Sequence, residues 1–280
     1  MNKFTRVGTA PTAHALGCLG LCLSFLCALA FEARAHPTPD TELRAQLLRL
    51  SQRRIFFGHQ SVGMNLLDGV RELVAPYADV GLRVVEVGAD TDLPEGTFAH
   101  AFMPENGNPG LKLESFERAL SSGVGSAADI AFVKFCYVDF SSGTDAPALF
   151  ARYQAKLTAL HARYPRTVFV HLTAPLTTVE SGAKAALKRL IGHGPGGLLE
   201  NARRDEFNEL LRRAYGGKEP VFDLARLEST APDGQRELRD WKGSKVPALV
   251  PAYTDDGGHL NPEARLRLAR ELIALLASLP

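Results

Sequence analysis

Five runs of strand length, residues 54–57, 82–87, 130–137, 167–173 and 221–224, are apolar at nearly every position, and longer segments with helical spacing lie between them. A strand without polar alternation must be covered on both faces. Such strands alternating with helices predict a parallel sheet with helices on each side. The helical segments fall at 61–73, 113–120, 146–164, 198–215 and 262–279. In the first, Met64, Leu67, Val70 and Leu73 recur every three residues; the last opens with Asn261-Pro262, a cap followed by proline at the first helical position. The expected architecture is a three-layer α/β/α sandwich around a mostly parallel five-stranded sheet. Three connections, 88–111, 176–197 and 228–253, are long for a compact domain, and long ordered loops often carry function. The last two are rich in Gly, Lys and Arg and are candidates for a lid or substrate rim.

Residues 1–35 read differently. Lys3 and Arg6 precede an apolar stretch from Ala15 to Ala30, and Ala33-Arg34-Ala35 forms a small-x-small cleavage pattern. This is the layout of an export signal, so residues 36–280 are expected to form a single α/β domain in the periplasm or outside the cell, after cleavage near Ala35. Cys18, Cys22 and Cys27 would leave with the signal, and none has the flanking residues of a lipoprotein site. Cys136 would then be the single remaining cysteine, with no intrachain disulfide to make. About 245 residues bury a core without such staples. The apolar stretch is short for a membrane span, and no later segment approaches the roughly 20 apolar residues that a span needs. The chain carries 32 basic and 31 acidic residues; Lys3, Arg6, Arg34 and Glu32 lie before residue 36, which leaves 29 against 30. That balance does not point to nucleic acid as a partner.

In open parallel sheets, ligands bind beyond the carboxyl ends of the strands. Three groups of polar residues fall there: Gly58-His59-Gln60-Ser61 after the first run, Val138-Asp139 after the third, and Asp255-Asp256-Gly257-Gly258-His259-Leu260-Asn261 before the last helix. A carboxylate three residues ahead of a histidine can fix the ring's tautomer and stabilise its charged form. A serine hydroxyl is a poor nucleophile without such a base, which makes Ser61 the natural partner of His259 and Asp256.

Those residues resemble the SGNH (GDSL-like) hydrolase superfamily, on Gly58 to Gly63 at one end and on Asp256-Gly-Gly-His259 followed by Leu-Asn-Pro at the other. The resemblance implies a flavodoxin-like α/β/α fold and an esterase, deacetylase or O-acyltransferase acting on an acylated carbohydrate or lipid without a cofactor. Ser61 would be nucleophile, His259 base and Asp256 the residue that orients it. Two positions depart from the family pattern. Gly-Asp-Ser is replaced by Gly58-His59-Gln60-Ser61, so either Ser61 or Gln60 stands in the nucleophile's register. Gly-x-Asn-Asp is replaced by Cys136-Tyr137-Val138-Asp139, so Val138 stands where an oxyanion-binding asparagine would be, and Lys134, Tyr137 or Gln60 is left to replace it. The backbone N–H of Gly110, with Gly107 second, is the candidate for the family's glycine donor, beside that of Ser61.

Each of these residues also has a structural reading. Serine is a preferred helix cap, so Ser61 can be only that. His59 could contact substrate, bind a metal or hydrogen-bond within its turn, and a pocket-lining role is expected. His171 reads as a satisfied core histidine, Cys136 as an inert hydrophobe within a strand, and Asp255 as the second choice to Asp256. Arg203, Arg204, Arg212 and Arg213 lie on a polar helix expected to be solvated, although Arg204 could face the pocket. Zinc would require several of His59, His171, His259, Asp139 and Asp256 to converge, with no ligand spacing to suggest it. The alternatives to a serine hydrolase are a non-catalytic carbohydrate-binding protein on the same fold and a metal-assisted hydrolase.

Overall fold

The computed structural model describes residues 39–88, 93–183, 185 and 195–280. The expected export signal, its three cysteines and the cleavage site near Ala35 lie outside them. So does part of the 176–197 connection.

The chain enters with α1 (Pro39–Leu50), then β1 (Arg54–His59), α2 (Val62–Val74), β2 (Arg83–Glu86) and β3 (Thr97–Phe102). There follow α3 (Pro109–Ala119), β4 (Ile130–Val133), α4 (Ala146–Arg163), β5 (Val168–Phe169) and β6 (His171–Leu172). After α5 (Leu198–Tyr215) come β7 (Val221–Phe222), α6 (Leu224–Glu228), a hairpin of β8 (Leu238–Trp241) and β9 (Ser244–Pro247), and α7 (Pro262–Ser278). The central sheet has five parallel strands in the order β2-β3-β1-β4-β5. β6 runs on from β5 and pairs in parallel with β7. Val170 N–H still donates to Ala131, and His171 N–H, one residue later, donates to Pro220.

Alternation along β1 divides the core in two. Ile55 and Phe57 face the cluster formed with α1, α2 and α7, whereas Phe56 faces the cluster formed with α3, α4 and α5. Because both faces are packed, the strands carry no polar side and read as continuous apolar runs. The α/β/α layering expected from the sequence is therefore present.

Three elements differ from expectation. β3 lies inside the stretch read as a loop, because Thr97 and His100 interrupt its apolar pattern; both are buried in the sheet. The run at 221–224 is not the fifth strand of the central sheet but a short strand beyond β6, and the 228–253 connection contains the β8–β9 hairpin. The run at 130–137 leaves the sheet after Val133, so Cys136 sits in the turn beyond β4 rather than within a strand.

The two ends of the chain meet through α2 and α7. A side chain at Gly69 would place Cβ 2.5 Å from the Arg265 carbonyl oxygen and 2.7 Å from Ala269 Cβ, so only glycine permits this approach. The contact sets the loop before α2 beside the loop before α7.

Candidate functional site

The carboxyl end of β1 delivers Ser61 to the start of α2. Ser61 holds the N-cap position with φ 12° and ψ −80°, yet its side chain makes no capping hydrogen bond. Its Oγ instead lies 3.4 Å from the thiol of Cys136. The Ser61 hydroxyl is therefore not spent on capping its own helix. Its N–H belongs to the donors that a helix leaves unpaired at its start, where the dipole is positive. Gln60, its rival in register, turns the other way: Nε2 donates to the Met103 carbonyl at 2.6 Å and ties down the segment after β3.

Asp256 and His259 form a closed local unit. His259 Nδ1 donates to Asp256 Oδ2 at 2.6 Å, while Oδ1 accepts from the backbone N–H of Gly258 at 2.9 Å and of His259 at 2.8 Å. Hydrogen bonds from the imidazole, then from the two backbone donors, hold this carboxyl well below the usual carboxylate range. A carboxylate only accepts, so Nδ1 carries a proton toward Asp256 and Nε2 is the ring nitrogen that Asp256 does not use. Gly257 adopts φ +90°, a conformation suited to glycine, and its carbonyl accepts from the N–H of Thr178. Leu260 N–H donates to Asn65 Oδ1 at 3.2 Å, fastening this loop to the helix that Ser61 begins. It is Asp256, not Asp255, that bonds the ring.

His259 Nε2 does not reach Ser61. Its neighbour is the Tyr137 hydroxyl at 3.5 Å, with the two rings edge to face at 5.5 Å. Tyr137 is anchored from below by Arg204, whose Nε and Nη2 donate to its carbonyl at 3.1 and 2.9 Å. Arg204 is 3% exposed, so the helix face expected to be solvated turns this arginine inward, and burial lowers its pKa to about 10. Asn201 and Thr177 accept from its Nη1.

Other expected site residues are placed elsewhere. His59 is fully enclosed rather than lining a pocket: its Nε2 meets His100 Nδ1 at 3.1 Å, and Arg71 reaches His100 Nε2 at 2.9 Å. An arginine can only donate, so His100 carries its proton on Nδ1 and passes it toward His59. Burial, then the neighbouring cations and imidazole, lower the pKa of His59 to about 3. Gly63 must be glycine, since a Cβ there would fall 2.4 Å from His59 Cβ. Lys134 is buried, with Nζ donating to the Phe135 carbonyl at 2.8 Å. Asp139 is clamped by Lys112 Nζ at 2.7 Å and accepts from the N–H of Cys136 and Gly107. Gly107 is thereby removed as an oxyanion donor. Gly110 stays in the first turn of α3, where N–H groups are unpaired, on the wall of a cavity of about 350 Å³ that it shares with Val138.

His171 is a satisfied core histidine, between the Tyr153 hydroxyl at 2.8 Å and Glu219 at 3.0 Å. Among the described residues, no group of three or more His, Cys, Asp or Glu side chains is arranged to hold a metal ion. None of their helices is long and apolar enough to cross a membrane.

The sequence reading missed Cys136, Asn65 and the structural role of Arg204. Cys136 was read as an inert hydrophobe and Arg204 as a residue that could face the pocket; their partners Ser61 and the Tyr137 carbonyl, like the Leu260 partner of Asn65, lie far along the chain.

No family model matches this chain, and no curated protein matches it. Among solved structures it is similar to a candidate platelet activating factor from Streptococcus pneumonia, with 16% identity over 84% of this chain and 91% of that one, at a TM-score of 0.49. It is also similar to a candidate acylhydrolase from Bacteroides fragilis, with 13% identity over 86% and 98% and a TM-score of 0.49. A candidate lipase from Chitinophaga pinensis has 14% identity over 79% and 96%, with a TM-score of 0.40. Activities do not transfer across likeness at this level.

Proposed function

We propose that this protein is an exported acyl hydrolase or acyltransferase of the SGNH-like type, acting through Ser61, His259 and Asp256 on the ester of an acylated carbohydrate or lipid. The carrying observation is the 2.6 Å bond from His259 Nδ1 to Asp256 Oδ2 on a loop fastened to the helix of Ser61. That bond leaves Nε2 as a base, and Ser61 Oγ has no capping duty. In the reaction, Ser61 Oγ attacks the acyl carbonyl as its proton passes to Nε2, and the resulting charge on the imidazolium is stabilised by Asp256. The N–H groups of Ser61 and Gly110 hold the oxyanion. Collapse expels the alcohol, which takes the proton from Nε2, and water or a second alcohol then releases the acyl group by the same steps. Free enzymes often show a longer nucleophile-to-base separation that closes with substrate. Phe102, exposed at the end of β3, and Val138, exposed in the turn beyond β4, support an apolar group at the rim.

The 3.4 Å contact of Ser61 with Cys136 and the phenol facing the base favour a second reading, a carbohydrate-binding protein that keeps the fold without turnover. Hydrolysis of p-nitrophenyl acetate by the mature protein separates the two. Loss in both Ser61→Ala and His259→Ala, with unchanged circular dichroism, is the expected result. Activity retained in Ser61→Ala would remove the nucleophile from this scheme.

A further inference from the structure

Two backbone N–H groups make an incomplete oxyanion site, and a missing side-chain donor lowers the rate by ~10²–10³ in comparable enzymes. Val138 occupies the position of the family's asparagine and has nothing to donate. Three side chains could supply the third hydrogen bond: Lys134 Nζ donates to the Phe135 carbonyl and Gln60 Nε2 to the Met103 carbonyl, whereas the Tyr137 hydroxyl is the one set beside His259 Nε2.

The placement of Tyr137 is specific. The hydroxyl sits 3.5 Å from His259 Nε2, the ring nitrogen that Asp256 does not use. The backbone is gripped by buried Arg204. The ring lies against Gly258, where a Cβ would come within 3.0 Å of its Cε1 and Cζ, which accounts for the second glycine between Asp256 and His259. Burial, then the neighbouring Cys136, push the phenol above its ordinary pKa, so it stays protonated as a donor at neutral pH.

We propose that Tyr137 is a catalytic residue, the side-chain oxyanion donor of this site, whose hydroxyl rests on His259 Nε2 in the free protein and transfers its hydrogen bond to the substrate oxygen during attack. This rests on the Ser61 reading above. As Ser61 Oγ bonds to the acyl carbon, its proton moves to Nε2 and the carbonyl π pair moves onto oxygen. Once Nε2 carries a proton it no longer accepts, so the phenol O–H is released toward the oxygen just as charge develops there. On collapse the electron pair returns, the C–O bond to the alcohol breaks, and Nε2 protonates the leaving oxygen. Tyr137 gives up no proton at any step.

Tyr137→Phe keeps the ring on Gly258 and removes only the donor. With p-nitrophenyl acetate, kcat should fall by ~10²-fold with KM within about threefold, the signature of an interaction made in the transition state. Affinity for phenylboronic acid, which forms a tetrahedral adduct on Ser61, should fall in parallel, and neither loss is expected of a packing role. Gly258→Ala retains the phenol but displaces it and should give a smaller loss, so the assignment stays testable if Tyr137→Phe is unstable. A kcat in Tyr137→Phe within twofold of wild type, or above it, overturns the assignment while leaving Ser61 as nucleophile. Wild-type protein that neither turns over nor is labelled at Ser61 by a fluorophosphonate overturns the serine route, and the role of Tyr137 with it.

Discussion

The hydroxyl of Ser61 lies 3.4 Å from the thiol of Cys136, a residue 75 positions later in the chain, while His259 Nε2 faces a different hydroxyl, that of Tyr137. A thiol is a weak donor and a weak acceptor, so the contact holds the serine only loosely. Its release is worth about 0.5–1 kcal/mol, the low end for a neutral hydrogen bond. Cys136→Ala should therefore raise kcat for p-nitrophenyl acetate by roughly two- to fivefold, as more of the population turns toward His259. A fall of more than tenfold would mean that the thiol helps to position the nucleophile.

Asp255 and Asp256 are adjacent in the chain and are expected to differ sharply. Asp256→Asn removes the carboxylate that keeps the proton on His259 Nδ1, and kcat should fall by ~10³–10⁴-fold. Asp255→Asn should remain within about threefold, since Asp255 makes no bond to the ring. Equal losses in steady-state assays of the two variants would contradict the assignment of orienter.

The buried imidazoles of His59 and His100 make stability pH-dependent. Burial is the leading cause in both, lowering their pKa values to about 3 and about 4 from the ordinary 6.5. Below pH 6.5 the unfolded chain takes up protons that the folded one refuses, so stability falls as pH falls from about 6.5 toward 4. Each histidine contributes a slope of up to about 1.4 kcal/mol per pH unit in that window. Urea unfolding between pH 4.5 and 7 should show this dependence, and His100→Asn should remove roughly one histidine's share. An unchanged slope in that variant would place the protonation elsewhere.

Gly69 is the close-approach point of α2 and α7, the helices that follow Ser61 and His259 in the chain. Gly69→Ala gains about 1 kcal/mol of helix propensity, but its Cβ would collide with the Arg265 carbonyl and Ala269, and overpacking of this kind costs about 1–3 kcal/mol. The helices that carry Ser61 and the His259 loop must then separate. A lower melting temperature together with an approximately tenfold fall in kcat/KM is expected, since small misplacements of reacting groups slow catalysis steeply. Normal values for both would show that the two loops are aligned by something other than this contact.

The sequence by itself determined what depends on near neighbours. The apolar runs specify strands covered on both faces, the spacing of Met64, Leu67, Val70 and Leu73 specifies α2, and Asn261-Pro262 marks the start of α7. The bond between Asp256 and His259 was legible because three residues and two glycines bring them together whatever the rest of the chain does. Only the tertiary structure decided the partners of polar residues that turn inward. Thr97 and His100 concealed β3, because a polar residue within a strand reads as loop until its buried partner is known. Arg204 looked like one of several surface arginines, and only the course of the turn after β4 brings the Tyr137 carbonyl within its reach. Tyr137 and His259 are 122 residues apart, and the turn after β4 and the loop before α7 meet only in the folded chain, a contact that no local pattern encodes.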